Sequence, residues 1–179
     1  MEKPLVKKEH VLKAPEKPRF SVITVSTSRY KTFREGREYV DVSGDRAIER
    51  LEGSGLEFNS RYIVPDMPRE IREAVLRTIY KDESDLVILI GGTGISRRDI
   101  TVEVLSPLFE KTLTNFPALF TLLSYTKVGS DIVTSRAAAG IIRGSLVFCL
   151  PGSTDAVQLA IEKIIVPQAK HALHHLRET

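Results

Sequence analysis

Apolar residues fall along this chain in two rhythms. The run Leu86-Val87-Ile88-Leu89-Ile90 after Asp85 reads as a strand buried on both faces, and Phe20-Ser21-Val22-Ile23-Thr24-Val25 and Ser145 to Leu150 read as further strands. Glu57 to Val64 reads as a weaker strand. Elsewhere apolar positions recur at helical spacing. Ile48 and Leu51 mark a helix from near Ser43 to Gly53 or Gly55. Ile71, Val75 and Ile79 mark a second, opened in its first turn by Pro68. Val157, Ile161, Ile164, Ile165 and Ala172 mark a long last helix, with Pro167 as the expected bend. Residues 26–41 read as a polar loop. Residues 99–125 read as helical pieces broken by Pro107 and Pro117. Residues 128–144 read as irregular, with strand character at Ile132-Val133 and at Ile141-Ile142.

Strands that alternate with helices predict a three-layer α/β/α sandwich around a mostly parallel sheet. Ligands of such sheets bind beyond the carboxyl ends of the strands. Those ends carry Ser26-Thr27, Pro65-Asp66, Gly91-Gly92-Thr93-Gly94 and Pro151-Gly152-Ser153. Topology therefore brings four separated polar turns to one edge.

At 179 residues the chain is long enough for one domain with a substantial core. The formal net charge of +3 is unevenly spread: residues 1–19 carry six Lys or Arg against three Glu. The remainder is balanced, which removes the electrostatic footprint of a nucleic-acid binder. The expected organisation is a basic, proline-containing tail over residues 1–18 and a single domain over 19–179. The tail lacks the apolar centre of a secretory signal, and no apolar run reaches membrane-spanning length. One cysteine suits a reducing compartment, here the cytoplasm. Cys149, inside a strand-like run, is expected in the core.

The glycine loop carries the most chemistry. Three glycines in four positions let the backbone turn sharply and approach a ligand closely. Arg97-Arg98-Asp99-Ile100-Thr101 follows at once. A bare loop, two cations and a carboxylate suit a phosphate held with a divalent metal. Neither the dinucleotide fingerprint nor the phosphate loop ending in Gly-Lys-Ser/Thr fits. Asp66 and Asp99 are paired carboxylates able to hold Mg²⁺ beside phosphates, though each could instead cap a helix. Ser153 could be an N-cap, a phosphate contact or both, and the Asp41-Val42-Ser43-Gly44 turn has the same ambiguity. Ser135-Arg136 could meet an anionic ligand or form a surface ion pair. His171, His174 and His175 share helical spacing without a matching cysteine or carboxylate cluster, which disfavours a metal site.

At Ile63-Val64-Pro65-Asp66, Gly91-Gly92-Thr93-Gly94, Arg98-Asp99-Ile100-Thr101, Ser135-Arg136 and Leu150-Pro151-Gly152-Ser153 the chain resembles the MogA/MoaB family of molybdenum cofactor biosynthesis proteins, to which the gephyrin G domain also belongs. Leu123-Ser124-Tyr125 and Val128-Gly129-Ser130 look closest to the MoaB branch. The resemblance covers residues 19–176. It implies adenylylation of molybdopterin with Mg-ATP and release of pyrophosphate. Asp66 and Asp99 match the family's two functional aspartates and are the implied metal ligands. Ser26, Gly91, Gly92, Thr93, Gly94, Arg98, Thr101, Ser135, Arg136, Pro151, Gly152 and Ser153 are the implied nucleotide or molybdopterin contacts. Many relatives have Ser-Asp where this chain has Ser26-Thr27.

The resemblance also implies a homo-oligomer, trimer or hexamer, and contact with other enzymes of the pathway. The uncharged stretch Leu113 to Thr126 offers more apolar surface than a short helix buries within its own domain. Two rivals stand beside the adenylyltransferase. One is a carrier that holds molybdopterin without turnover. The other is a CinA-type enzyme, disfavoured by Thr93 and Arg98.

Overall fold

The computed structural model describes residues 17–178; the expected tail lies almost wholly outside them. Six strands form one sheet: β1 (Arg19–Val25), β2 (Glu57–Val64), β3 (Leu86–Ile90), β4 (Lys111–Thr112), β5 (Ala138–Ile142) and β6 (Ser145–Leu150). Their spatial order is β2-β1-β3-β6-β5-β4. The first four in that order pair parallel, while β5 and β4 add on antiparallel at one edge. The mostly parallel sandwich expected from the sequence is the observed fold.

Both faces of the sheet are covered, which is why β3 and β6 are apolar at nearly every position. One face packs under α2 (Val42–Gly53), α5 (Asn115–Val128) and the last helical stretch. That stretch runs α6 (Thr154–Ala160), one π-helical turn over Ile161–Ile165, then α7 (Val166–Arg177). The other face packs under α3 (Pro68–Tyr80) and α4 (Thr101–Leu105). Leu51 and Ile71 are fully buried on opposite faces, each worth about 1.5–3 kcal/mol. Cys149 is likewise fully buried, and burial pushes its thiol up to about 12. It is a core residue.

Four expectations need correction. Residues 26–41 are not all loop: α1 (Thr27–Arg34) follows β1 directly, with none of its residues buried, so no apolar stripe announced it. Ile132-Val133 is not a strand but part of a 3₁₀ stretch over Gly129–Thr134, with Val133 81% exposed. Pro117 does not break a helix; it sits in the first turn of α5, where a missing N–H costs nothing. The two-residue edge strand β4 was not expected at all. Arg143 and Gly144, both at positive φ, form the tight turn joining β5 to β6.

Candidate active site

The glycine loop leaves β3 between the ends of β1 and β6. Gly91 has φ +100° and Gly92 φ +63°, values that exclude an unstrained side chain. The Gly91 amide donates to the Leu150 carbonyl at 3.0 Å, tying the loop to the end of β6. The amides of Gly92, Thr93 and Gly94 donate to no protein group among the described residues. Unpaired N–H groups on a bent backbone form an anion-binding concavity.

Both aspartates face this loop. A Cβ built on Gly92 would lie 3.1 Å from Asp66 Oδ1, and one built on Gly94 would lie 2.8 Å from Asp99 Oδ2. The carboxylates therefore flank glycines two residues apart. Neither caps a helix through its side chain: Met67 and Ile100 occupy the N-cap positions of α3 and α4, without side-chain capping bonds. Asp66 Oδ2 accepts from the amide and hydroxyl of Thr27 at 2.9 and 2.7 Å, and Asp99 Oδ2 accepts from the Ser96 amide at 2.9 Å. Each carboxylate is thus held by one oxygen, and Oδ1 accepts no hydrogen bond from the described residues.

Thr27 is the residue sequence reasoning undervalued. Its hydroxyl donates to Asp66 and accepts from the Asp66 amide at 3.0 Å, which a second carboxylate could not do. Ser26, expected at the ligand, caps α1 by accepting from the Arg29 amide at 3.4 Å.

Thr101 and Arg136 brace the loop. The Thr101 side chain is fully buried, and its hydroxyl donates to the Gly91 carbonyl at 2.9 Å. Arg136 Nε donates to the carbonyls of Thr93 and Gly94 at 2.8 and 3.0 Å. Both Arg136 Nη atoms pair with Glu103, which sequence reasoning had not singled out. Hydrogen bonding from Arg136 holds the Glu103 carboxyl below its usual range. Arg136 thus spends its donors on the carbonyls of Thr93, Gly94 and Asp99 and on Glu103. Arg98 is exposed, and its guanidinium has no partner among the described residues.

The Pro151-Gly152-Ser153 turn closes the third side. A Cβ on Gly152 would lie 3.7 Å from Gly91 Cα. Ser43, at the start of α2, donates to the Gly152 carbonyl at 2.8 Å. Ser153 is the N-cap of α6, accepting from the Ala156 amide at 3.4 Å. It also lines an open cleft of about 470 Å³ with Ser135, Phe120, Ser124, Lys127 and Asp131. Ser135 and Arg136 are neighbours in sequence, yet one lines the cleft and the other clamps the glycine loop. The aspartates, the glycine loop and the Ser153 turn are thereby brought to one sheet edge.

The family model described as "Probable molybdopterin binding domain" matches residues 21–171. The molybdopterin adenylyltransferase of Pyrococcus furiosus is 45% identical over 174 residues, covering 95% of this chain and 98% of that one. The chain belongs to the MogA/MoaB family. Within that family, molybdenum cofactor biosynthesis protein B of Bacillus subtilis is 40% identical over 171 residues, covering 95% of this chain and 96% of its own length. The crystal structure of the tungsten cofactor synthesizing protein MoaB from Pyrococcus furiosus superposes with a TM-score of 0.82 at 43% identity. It covers 92% of this chain and all of that one.

Proposed function

We propose that this chain transfers the adenylyl group of ATP to molybdopterin. The carrying observation is the row of unpaired amides at Gly92, Thr93 and Gly94, set between the carboxylates of Asp66 and Asp99. The names of its relatives as molybdopterin adenylyltransferase and molybdenum cofactor biosynthesis protein B support the same reaction.

The loop amides hold the triphosphate, and the bare glycines let Asp66 and Asp99 come close to the loop, where a Cβ would press on their carboxylates. Arg136 and Thr101 keep the loop carbonyls turned away from the anion by occupying them. Arg98 supplies an exposed cation at the mouth. The cleft beside Ser135 and Ser153 takes the second substrate, whose phosphate oxygen attacks the α-phosphorus in line. The α–β phosphoanhydride bond breaks and pyrophosphate leaves. Positioning dominates, with little acid–base chemistry required.

The reaction implies Mg²⁺, and the donor set fits it: two carboxylates at one loop, each with Oδ1 uncommitted. Such a pair plus substrate phosphates is the usual Mg²⁺ environment. When bound, the ion would neutralise charge on the phosphates. We further assign the apolar face of α5 to contact between copies of this chain, and the cytoplasm as the compartment, on the strength of the single buried Cys149.

The test is pyrophosphate release by the purified chain with ATP, MgCl₂ and molybdopterin. Release that requires all three supports the enzyme. Molybdopterin binding without any pyrophosphate would establish a carrier instead.

A further inference from the structure

At the far end of the sheet from the glycine loop, α7 presents three histidines. Arg177 pairs there with Asp85, which immediately precedes β3, whereas the loop follows it. His171 and His175 lie one turn apart, with their Nε2 atoms 3.1 Å from each other and their rings nearly perpendicular. Glu178 reaches back from the helix end. One carboxylate oxygen meets His175 Nδ1 at 3.0 Å, and the other meets His174 Nε2 at 3.0 Å.

We propose that His171 and His175 form a two-histidine site for a divalent transition metal of the Zn²⁺ class. Two nitrogens bound to one tetrahedral Zn²⁺ at about 2.0–2.1 Å lie about 3.3 Å apart, close to the separation found here. Glu178 fixes the tautomer. By accepting from His175 Nδ1–H it leaves the lone pair on Nε2, the arrangement that orients metal-bound imidazoles elsewhere. His171 then donates its Nε2 proton to His175. On binding, that proton moves to His171 Nδ1 through solvent, and both Nε2 lone pairs turn to the ion. Imidazole pairs suit Zn²⁺, Cu²⁺ and Ni²⁺ rather than Mg²⁺. Among the described residues no group of three or more His, Cys, Asp or Glu is placed to hold a metal. His175 is exposed and His171 partly so, which leaves the site open to solvent.

The experiment titrates ZnCl₂ into the chelator-treated, untagged full chain by calorimetry and repeats it with Cu²⁺ read by electron paramagnetic resonance. One Zn²⁺ site is expected. His171→Gln and His175→Gln should each weaken it by tenfold or more, and Glu178→Gln by about tenfold, the low end for losing an orienting carboxylate. The Cu²⁺ spectrum should show coupling to two imidazole nitrogens, falling to one in either histidine variant. Circular dichroism should be unchanged, since these side chains sit at an exposed helix end. Zn²⁺ affinity equal to wild type in the folded His171→Gln chain would overturn the proposal. So would a wild-type affinity no better than that of the chain carrying both histidine substitutions.

Discussion

The hydroxyl of Thr101 donates to the carbonyl oxygen of Gly91 across ten residues of chain, at 2.9 Å and out of reach of solvent. The Thr101 amide donates to the next carbonyl, that of Gly92, also at 2.9 Å. The start of α4 thus stitches the glycine loop to itself. Thr101→Val keeps the shape and removes one donor. Leaving the Gly91 carbonyl without its partner should cost about 1–3 kcal/mol. Urea denaturation reads that loss, and a raised KM for ATP would locate it at the loop. A Val variant as stable as wild type, with unchanged KM, would remove the bracing role.

Gly92→Ala is the harsher test of the same loop. Gly92 has positive φ, and a Cβ there would collide with Thr101 Oγ1 and press on Asp66 Oδ1 at 3.1 Å. Backbone strain and the displaced hydroxyl act together, so a loss of about 2–3 kcal/mol is expected, with adenylylation reduced to background. Gly53→Ala, where added volume meets nothing and φ is ordinary, is the control and should be neutral or slightly stabilising.

Much of this arrangement was legible in the chain because burial writes periodic signals. β3 and β6 bury both faces and announced themselves as apolar runs; α3 announced itself through Ile71, Val75 and Ile79. α1 buries nothing and so left no stripe. β4 is two exposed residues held by its partner strand alone. At the site, the loop, Asp66 and Asp99 were readable from residue type and from their place after strands. The contacts of Arg136 were not. Its partners, Thr93, Gly94, Asp99 and Glu103, lie more than thirty positions away, and only the fold decides between an anion and a carbonyl as acceptor. Thr27 was hidden for a related reason: its value depends on Asp66 being opposite.

Asp41 ties acid sensitivity to the core. Its carboxylate accepts from Thr24 at 2.6 Å and from Arg61 at 2.7 Å, with its side chain only 1% exposed. Burial pushes its carboxyl up, but the hydrogen bonds from Thr24, Arg61 and the Gly44 amide, with the Arg61 charge, outweigh this and hold it below its ordinary 3.8. A lowered folded-state value means the stability it contributes is fully present above pH 3.8 and is lost as pH falls through the folded-state pKa. Asp41→Ala removes the acceptor of Thr24 and the buried partner of Arg61, which keeps Asp45 at 2.6 Å, so the loss should be about 1–3 kcal/mol at pH 7. The stability difference between variant and wild type should shrink below pH 4. A difference independent of pH would dismiss the ionised pair.

α5 carries large apolar side chains beyond the face that packs on the domain. Phe116 and Phe120 are buried, while Leu119, Leu122 and Tyr125 are 42%, 64% and 60% exposed. If that face joins copies of this chain, light scattering at micromolar concentration should give a trimer or hexamer. Leu122→Glu should then shift the mass toward monomer without unfolding the domain, since Leu122 is not in the core. A wild-type monomer would end the assignment.

The two carboxylates offer the sharpest test of the chemistry. Asp99→Asn is nearly isosteric, and its side-chain oxygen can still accept from the Ser96 amide, so the loop should keep its shape. What it loses is formal charge where Mg²⁺ and phosphates would meet. Adenylylation should fall by roughly a hundredfold or more, the scale of losing one preorganised electrostatic group. Asp66→Asn should fall similarly, because Thr27 can hold either side chain through its amide. If both residues serve one ion, the double variant should cost less than the product of the single losses, since removing the first ligand already spends most of the second's value. Raised MgCl₂ should partly restore each single variant, while molybdopterin binding without nucleotide should be unaffected in all three. Near wild-type turnover by folded Asp99→Asn at limiting Mg²⁺ would exclude the metal role. Losses that multiply fully would assign the carboxylates to separate tasks.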